Sequence, residues 1–484
     1  MKIIVIDDGV NIAITKIDKL LVDLEVSESL ELVNRVDSCN SDLSHGSICA
    51  AIIKKYAPDC EIGSIKVLDE QLYMGTIEQL VVALKWCLNH QVKLIHMSIG
   101  ITVVNHFEML KEIVDQLLAT GCCIVAANSN NGLFTLPAGL SSVIGVATEK
   151  SYEENYYEVN SNRYVGIDFV ASSRHLLELK SENFITKNAN SYAAPFVTSM
   201  AYQIIKQNGI LQPGLLKYKL AVDSGSQEPC NVLETIRLDY INFAIVVSEE
   251  EILWNFCLFR EVKKCDFKTL ELLTVKKSVT LVVISKENNI NENNKMVVNF
   301  LLRNKENILG VVYTDIMPRA VKEVCQEKIH CFWWDESINE KYYPNMVDID
   351  DKLQVPIIEI MGEGEELFRF ADALKIYFLN QGYAVWGISD LKYSYLYHLD
   401  YFSKGNIQEG LFSFYEKKYN LDIILYVSGK VNCDFIDLKV QLQNQGINII
   451  DAREKVIQSC KYGKNYIRSI YNTIVLYFDS DEDE

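Results

Sequence analysis

The sequence predicts an α/β fold, with a mostly parallel sheet covered by helices on both faces and two smaller α/β modules after it. Three observations lead there. Short, mostly apolar runs recur along the chain. Stretches with apolar residues at helical spacing separate them. And 484 residues, 49% of them apolar and 23% charged, exceed one ordinary core and suit a soluble protein of two or three domains.

Taken in order, the strands of residues 1–222 are Ile3–Ile6, Ile62–Val67, Leu94–Met97, Cys122–Ala126 and Val143–Val146. Their apolar character on both faces is that of buried parallel strands. The segment Thr76–Asn89 sets Ile77, Leu80, Val81, Leu84 and Leu88 on one helical face. The segment His106–Thr120 does the same with Leu110, Val114, Leu117 and Leu118, and Gly121 stops it. Strand and helix in alternation give a parallel sheet with two helical layers. The turn-rich stretch Asp223–Cys230 breaks this pattern. A small α/β domain over 223–350 follows, with strands at Ile241–Val247, Thr280–Ser285, Ile308–Tyr313 and Ile329–Trp333. A further α/β domain over 351–478 has strands at Val355–Met361, Tyr383–Ile388, Leu421–Val427, Ile447–Ile450 and Thr473–Phe478, and a helix over Glu365–Asn380. Residues 479–484 carry five acids and read as a solvated acidic tail.

Charge and cysteine usage exclude several functions. A net charge of −18 repels phosphate backbones, so nucleic acid is not an expected partner. No run reaches the ~18 apolar residues of a membrane span. The opening MKIIVIDDGV has no secretory pattern. The 13 cysteines form no CxxC pair and no metal spacing, which predicts reduced, mostly buried thiols in a cytoplasmic protein and no metal or other cofactor.

Four residues stand where chemistry would be done. Asp7 ends an apolar strand, the edge at which open α/β sheets place their sites. His45 opens a helix marked by Ile48, Ala51 and Ile52. Asn130 directly follows a buried strand. Ser191 begins the helical run SYAAPFVTSMAYQIIKQNG, where free backbone N–H groups and the helix dipole would receive a developing oxyanion. Each alone reads equally as a cap or turn residue.

Their order is what distinguishes them. Strand–DxG, His-Gly-Ser before a small-residue helix, IHMSIG, strand–AAxSNxG and SxAAP opening a helix together resemble the subtilisin-like serine peptidases over about residues 1–215. The resemblance implies a subtilisin-like fold for this part and a triad of Asp7, His45 and Ser191, with Asn130 as the oxyanion donor. It implies that Ser98, Ile99 and Gly100 line the substrate site, together with Met74 and Gly75.

Three departures near the site accompany it. Asp8 replaces a small hydroxyl residue and brings a second carboxylate beside the first. Ala189-Asn190 replaces Gly-Thr before the serine, and the lost glycine raises the question of backbone freedom. Asn190 is a further candidate oxyanion donor. Tyr192 replaces a methionine. In the C-terminal half, Gly362-Glu363-Gly364-Glu365 sits in a strand–turn–helix context like a phosphate-binding loop. It lacks the lysine, and its acids occupy the anion position. The expectation is therefore an intracellular serine endopeptidase, without a prodomain, that processes a specific precursor (leader) peptide of a peptide-maturation system. Its partner would be that peptide or protein substrate, for instance a modified precursor peptide. The competing expectation is an impaired pseudo-subtilase that binds a peptide without cutting it.

Overall fold

The computed structural model describes residues 2–35, 43–69, 75–149, 154–162, 166–180, 183–251, 254–284, 290–343, 353–429, 435–444 and 446–481. Among the described residues, three sheets of nine, five and seven strands follow one another along the chain, with a two-stranded hairpin between the first and second.

The first sheet has nine strands, and Lys2–Asp7 lies inside it, between Glu61–Lys66 and Leu94–Met97, parallel to both. Cys123–Ala127 and Ile144–Ala147 extend it on one side, again in parallel. The alternation in Lys2–Asp7 serves two cores. Ile3 and Val5 pack with the helices His45–Tyr56 and Asn190–Asn208. Ile4 and Ile6 pack with Ile77–Asn89 and Phe107–Ala119. Helices thus cover both faces, as the apolar runs require. The edges are antiparallel: Asp23–Val26 with Leu32–Asn34, and Tyr157–Val159 with Phe169–Ala171. These short strands mix polar and apolar residues and give little periodic signal.

The second sheet is five strands, all parallel, in the order Glu261–Cys265, Phe243–Ser248, Val279–Ile284, Ile308–Tyr313, Phe332–Trp334. The third has seven. Asp400–Tyr401, Val385–Ser389, Ile423–Ser428, Ile357–Met361 and Leu438–Gln443 are parallel, and Gly446–Asp451 and Val456–Cys460 add an antiparallel meander. The helix Gly364–Asn380 follows the glycine turn, close to its expected bounds.

One expected strand is not a strand. Thr473–Phe478 lies in the helix Tyr466–Asp481, which also takes in Asp479–Asp481 of the acidic segment. The β-branched residues there suggest extended chain, but burial decides. Ile470 and Ile474, one helical turn apart, are fully buried, and Tyr471 packs its ring on Tyr377 and Phe378 of Gly364–Asn380. No helix among the described residues is long and apolar enough to cross a membrane.

Ile474→Ala should therefore cost about 2–5 kcal/mol in chemical denaturation. Leu476→Ala, on the solvent side of the same helix, should stay within about 0.5 kcal/mol.

Candidate active site

The site forms at the C-terminal edge of the first sheet. Asp7 ends its strand there, and the chain turns sharply through Asp8 and Gly9, the latter at φ +99°. Helix His45–Tyr56 begins against this turn. A Cβ at Gly46 would lie 2.6 Å from the Gly9 carbonyl oxygen, so the residue after His45 has to be glycine for the helix to approach this closely.

The two adjacent carboxylates divide the work. Both oxygens of Asp7 face the imidazole, at 2.9 and 3.0 Å from His45 Nδ1. Asp8 instead caps the helix. Its Oδ2 accepts from the His45 amide at 2.9 Å and its Oδ1 from the Gly46 amide at 2.7 Å. Ser44 completes the cap by accepting from the Ser47 amide. Burial and the neighbouring Asp7 charge push the Asp8 pKa up, and the two amide bonds pull against that rise. The second carboxylate therefore serves the helix that carries His45. With Nδ1 on Asp7, the imidazole proton sits at Nδ1 and Nε2 is the basic nitrogen. Burial opposes protonation of His45, but the Asp7 carboxylate outweighs it and raises the pKa well above the ordinary histidine value.

Ser191 is the second residue of the helix Asn190–Asn208, and the Tyr192 ring lies 5.4 Å from the His45 ring. Pro195 shapes this end. In an α-helix the amide of residue 195 would donate to the carbonyl of residue 191, and proline has no amide proton. Ser98 fills the gap by donating from Oγ to the Ser191 carbonyl at 2.7 Å. The side chain of Ser98 is thus turned inward under Ser191. It also meets His96 Nε2 at 2.9 Å, and His96 Nδ1 reaches Thr198 Oγ1 at 2.9 Å. Burial pushes the His96 pKa down to about 3, so the ring is neutral and has one proton. Thr198 spends its own proton on the Ala194 carbonyl, so His96 donates at Nδ1 and accepts at Nε2. Ser98 then has one proton for two acceptors. The Cys49 thiol lies 3.6 Å from the Ser191 carbonyl and 3.5 Å from Ser98 Oγ, within reach of both. On the other flank His175 Nε2 donates to the Tyr192 carbonyl at 3.0 Å, and its Nδ1 accepts from Tyr56.

Asn130 joins this cluster through the residue before Ser191. Its Oδ1 accepts from the Asn190 amide at 2.9 Å, which fixes the side-chain amide and leaves Nδ2 as the donor. Asn190 is occupied elsewhere: its Nδ2 donates to the Ser129 and Asn128 carbonyls and its Oδ1 accepts from the Thr148 amide. It braces the loop and is not a second oxyanion donor. Ala189 is extended, at φ −156° and ψ 144°, a conformation any residue adopts, so the missing glycine imposes no strain.

The structure thus joins Asp7 to His45, sets the Tyr192 ring beside His45, and ties Ser98 and Asn130 to the backbone at residues 191 and 190. Ile99 and Gly100 continue from Ser98 along the same edge, and Ile101 pairs with Leu136 in both directions. Gly75 lies over the carbonyl of Val67, whose amide donates to the Asp7 carbonyl. Met74 lies outside the described residues. Sequence reasoning missed Cys49, His96, Thr198 and His175. Cys49 had a signal, since it stands one helical turn after His45. Asp7, His45 and Cys49 offer three potential metal-ligand atoms within 4.8 Å, but His45 Nδ1 and the Asp7 oxygens are already bonded to each other. A separate cavity of about 220 Å³ is lined by Phe107, Arg237, Trp334, Trp386 and Tyr415 among others, and none of the site residues discussed above lines it.

Residues 1–227 match the model of the subtilase family. No curated protein matches the chain. Among solved structures, it is similar to a cold-adapted subtilisin-like serine proteinase at 18% identity, over 44% of this chain and 78% of that one, with a TM-score of 0.35. It is similar to fervidolysin from Fervidobacterium pennivorans, a keratinolytic enzyme related to subtilisin, at 18% identity over 45% of this chain and 38% of that one, with a TM-score of 0.37. A lanthipeptide protease matches at 17% identity over 45% of this chain and 79% of that one, with a TM-score of 0.36.

Asp8→Ala removes both acceptors at the His45 helix and should cost about 1–2 kcal/mol in urea denaturation, the range for a lost helix cap. An unchanged unfolding midpoint would show that Asp8 does not hold this helix.

Proposed function

Residues 1–227 are a subtilase-family serine peptidase domain, and from that premise we propose that Asp7, His45 and Ser191 are its triad and Asn130 its oxyanion donor. The observation that carries this reading is the contact of His45 Nδ1 with both oxygens of the buried Asp7. In it, Ser191 Oγ attacks the scissile carbonyl while His45 Nε2 takes the proton. The same proton then passes to the leaving amine, and the peptide C–N bond breaks. Water, activated by His45, releases the acyl group from Ser191. Asp7 holds the tautomer and stabilises the imidazolium. Asn130 Nδ2 and the Ser191 amide receive the oxyanion.

The substrate we propose is a specific precursor peptide met in the cytoplasm. All cysteines among the described residues are free thiols, which suits a reducing compartment. The two C-terminal α/β units hold no member of the triad and are available to select a partner. The surface of net charge −18 favours a basic segment of the substrate.

Ser191→Ala should abolish cleavage of a susceptible peptide, on the order of a millionfold in kcat, the scale found for subtilisin itself. Peptide binding that persists with equal, negligible cleavage in both proteins would instead favour a binding module. The pH dependence has a definite sign. His45 acts as a base only when neutral, and its raised pKa delays loss of the proton. The ascending limb of kcat/KM should therefore lie above the ordinary histidine value of about 6.5. A limb at or below that value would contradict the Asp7–His45 coupling.

A further inference from the structure

We infer that the helix Glu409–Tyr419 of the third unit is a positioning element for the loop that carries Asn130, so that the C-terminal half of the chain takes part in oxyanion stabilisation. The inference rests on the proposed role of Asn130 and extends it to residues almost 300 positions later.

The loop runs from Asn128 to Leu136, after the strand Cys123–Ala127. On its inner side it is tied to the Ser191 helix by Asn190, through the Ser129 and Asn128 carbonyls and Asn130 Oδ1. Within the loop, the Ser129 amide donates to Thr135 Oγ1 and the Leu133 amide to Ser129 Oγ, so its two arms move together. The outer side rests on the third unit. The Phe134 amide donates to the Lys418 carbonyl at 2.7 Å, and Lys418 Nζ donates to the Gly132 carbonyl at 3.2 Å. The Phe134 ring is buried against Tyr419 at 4.9 Å, with the Arg237 guanidinium 4.7 Å from its centre. Arg237 ties this group together by donating to the Tyr419 hydroxyl and to the Gly139 carbonyl.

The loop is thus held between two helices, Asn190–Asn208 and Glu409–Tyr419, one from each half of the chain. An oxyanion donor acts only where its N–H is aimed before the charge forms. Misplacement by about 1 Å can cost on the order of a hundredfold in rate. The bonds to Phe134 and Gly132 restrain the segment two to four residues beyond Asn130. A helix that fixes this segment therefore acts on kcat, and acts through Asn130. Lys418 is a positioning residue in this account: it touches the loop, not the substrate.

The test is a double-mutant cycle in the full-length protein. Lys418→Met keeps the aliphatic stem and removes the bond to Gly132. It should lower kcat at least about fivefold with KM within about twofold, and Lys418→Arg should restore most of the loss. In an Asn130→Ala background, Lys418→Met should cost nothing further, since the group it positions is gone. Hydrogen exchange at the Phe134 amide should speed up in Lys418→Met. The matched charge loss Lys268→Met, on the exposed side of the second unit, should leave it unchanged. An unaltered kcat, an equal loss in both backgrounds, or an unaltered exchange rate would each overturn the inference. If Asn130→Ala itself left kcat intact, the assignment of Asn130 would fail, and this inference with it; an intact Asn130 effect with an additive Lys418 effect would overturn the inference alone.

Discussion

The meeting of the Asp7–Gly9 turn with the first turn of the His45 helix is the constraint on which the site depends. Two neighbouring carboxylates end one buried strand, and each needs a partner because an unpaired buried charge is costly. Asp7 finds the imidazole, and Asp8 finds the His45 and Gly46 amides. The imidazole cannot be placed without the helix, and the helix end is not satisfied without Asp8. Gly46 allows the close approach. Strand end, helix start and proposed base are therefore fixed by a single contact.

The serine side is built on a comparable deficit. Pro195 deprives the Ser191 carbonyl of its helical partner, and Ser98 supplies one from the neighbouring strand end. His96, Thr198 and Cys49 surround that bond with a buried polar network, in which a neutral His96 and the one proton of Ser98 limit the possible arrangements. Ser98 thereby gains a role that the resemblance alone did not suggest: it supports the serine from below.

Much of this was legible in the sequence. The five central strands of the first sheet and the helices after Thr76 and His106 follow from apolar periodicity, because their burial is two-sided or strictly one-faced. The edge strands of the first sheet and the strands Leu438–Gln443 and Val456–Cys460 were not legible, since half-exposed strands mix polar and apolar residues; between those two, Ile447–Ile450 was. Thr473–Phe478 misled for a related reason: local β-propensity yielded to packing of Ile470 and Ile474 on a neighbouring helix. In the proposed site, it is the order of Asp7, His45, Asn130 and Ser191 along the chain that singles them out. The tasks of Asp8, Asn190 and Ser98 could not be read this way, because each is set by a partner distant in sequence. Asp8 looked like a second charge beside Asp7 and is a cap. Asn190 looked like a donor and is a brace.

The central claim is that the Ser191 hydroxyl, activated by His45 and Asp7, is the nucleophile. The most direct measurement is the mass of the intact protein after exposure to a fluorophosphonate, followed by peptide mapping. The account predicts one adduct per chain, located on Ser191 and absent from His45→Ala. A folded protein that takes no adduct, or takes it on another residue, would contradict the claim.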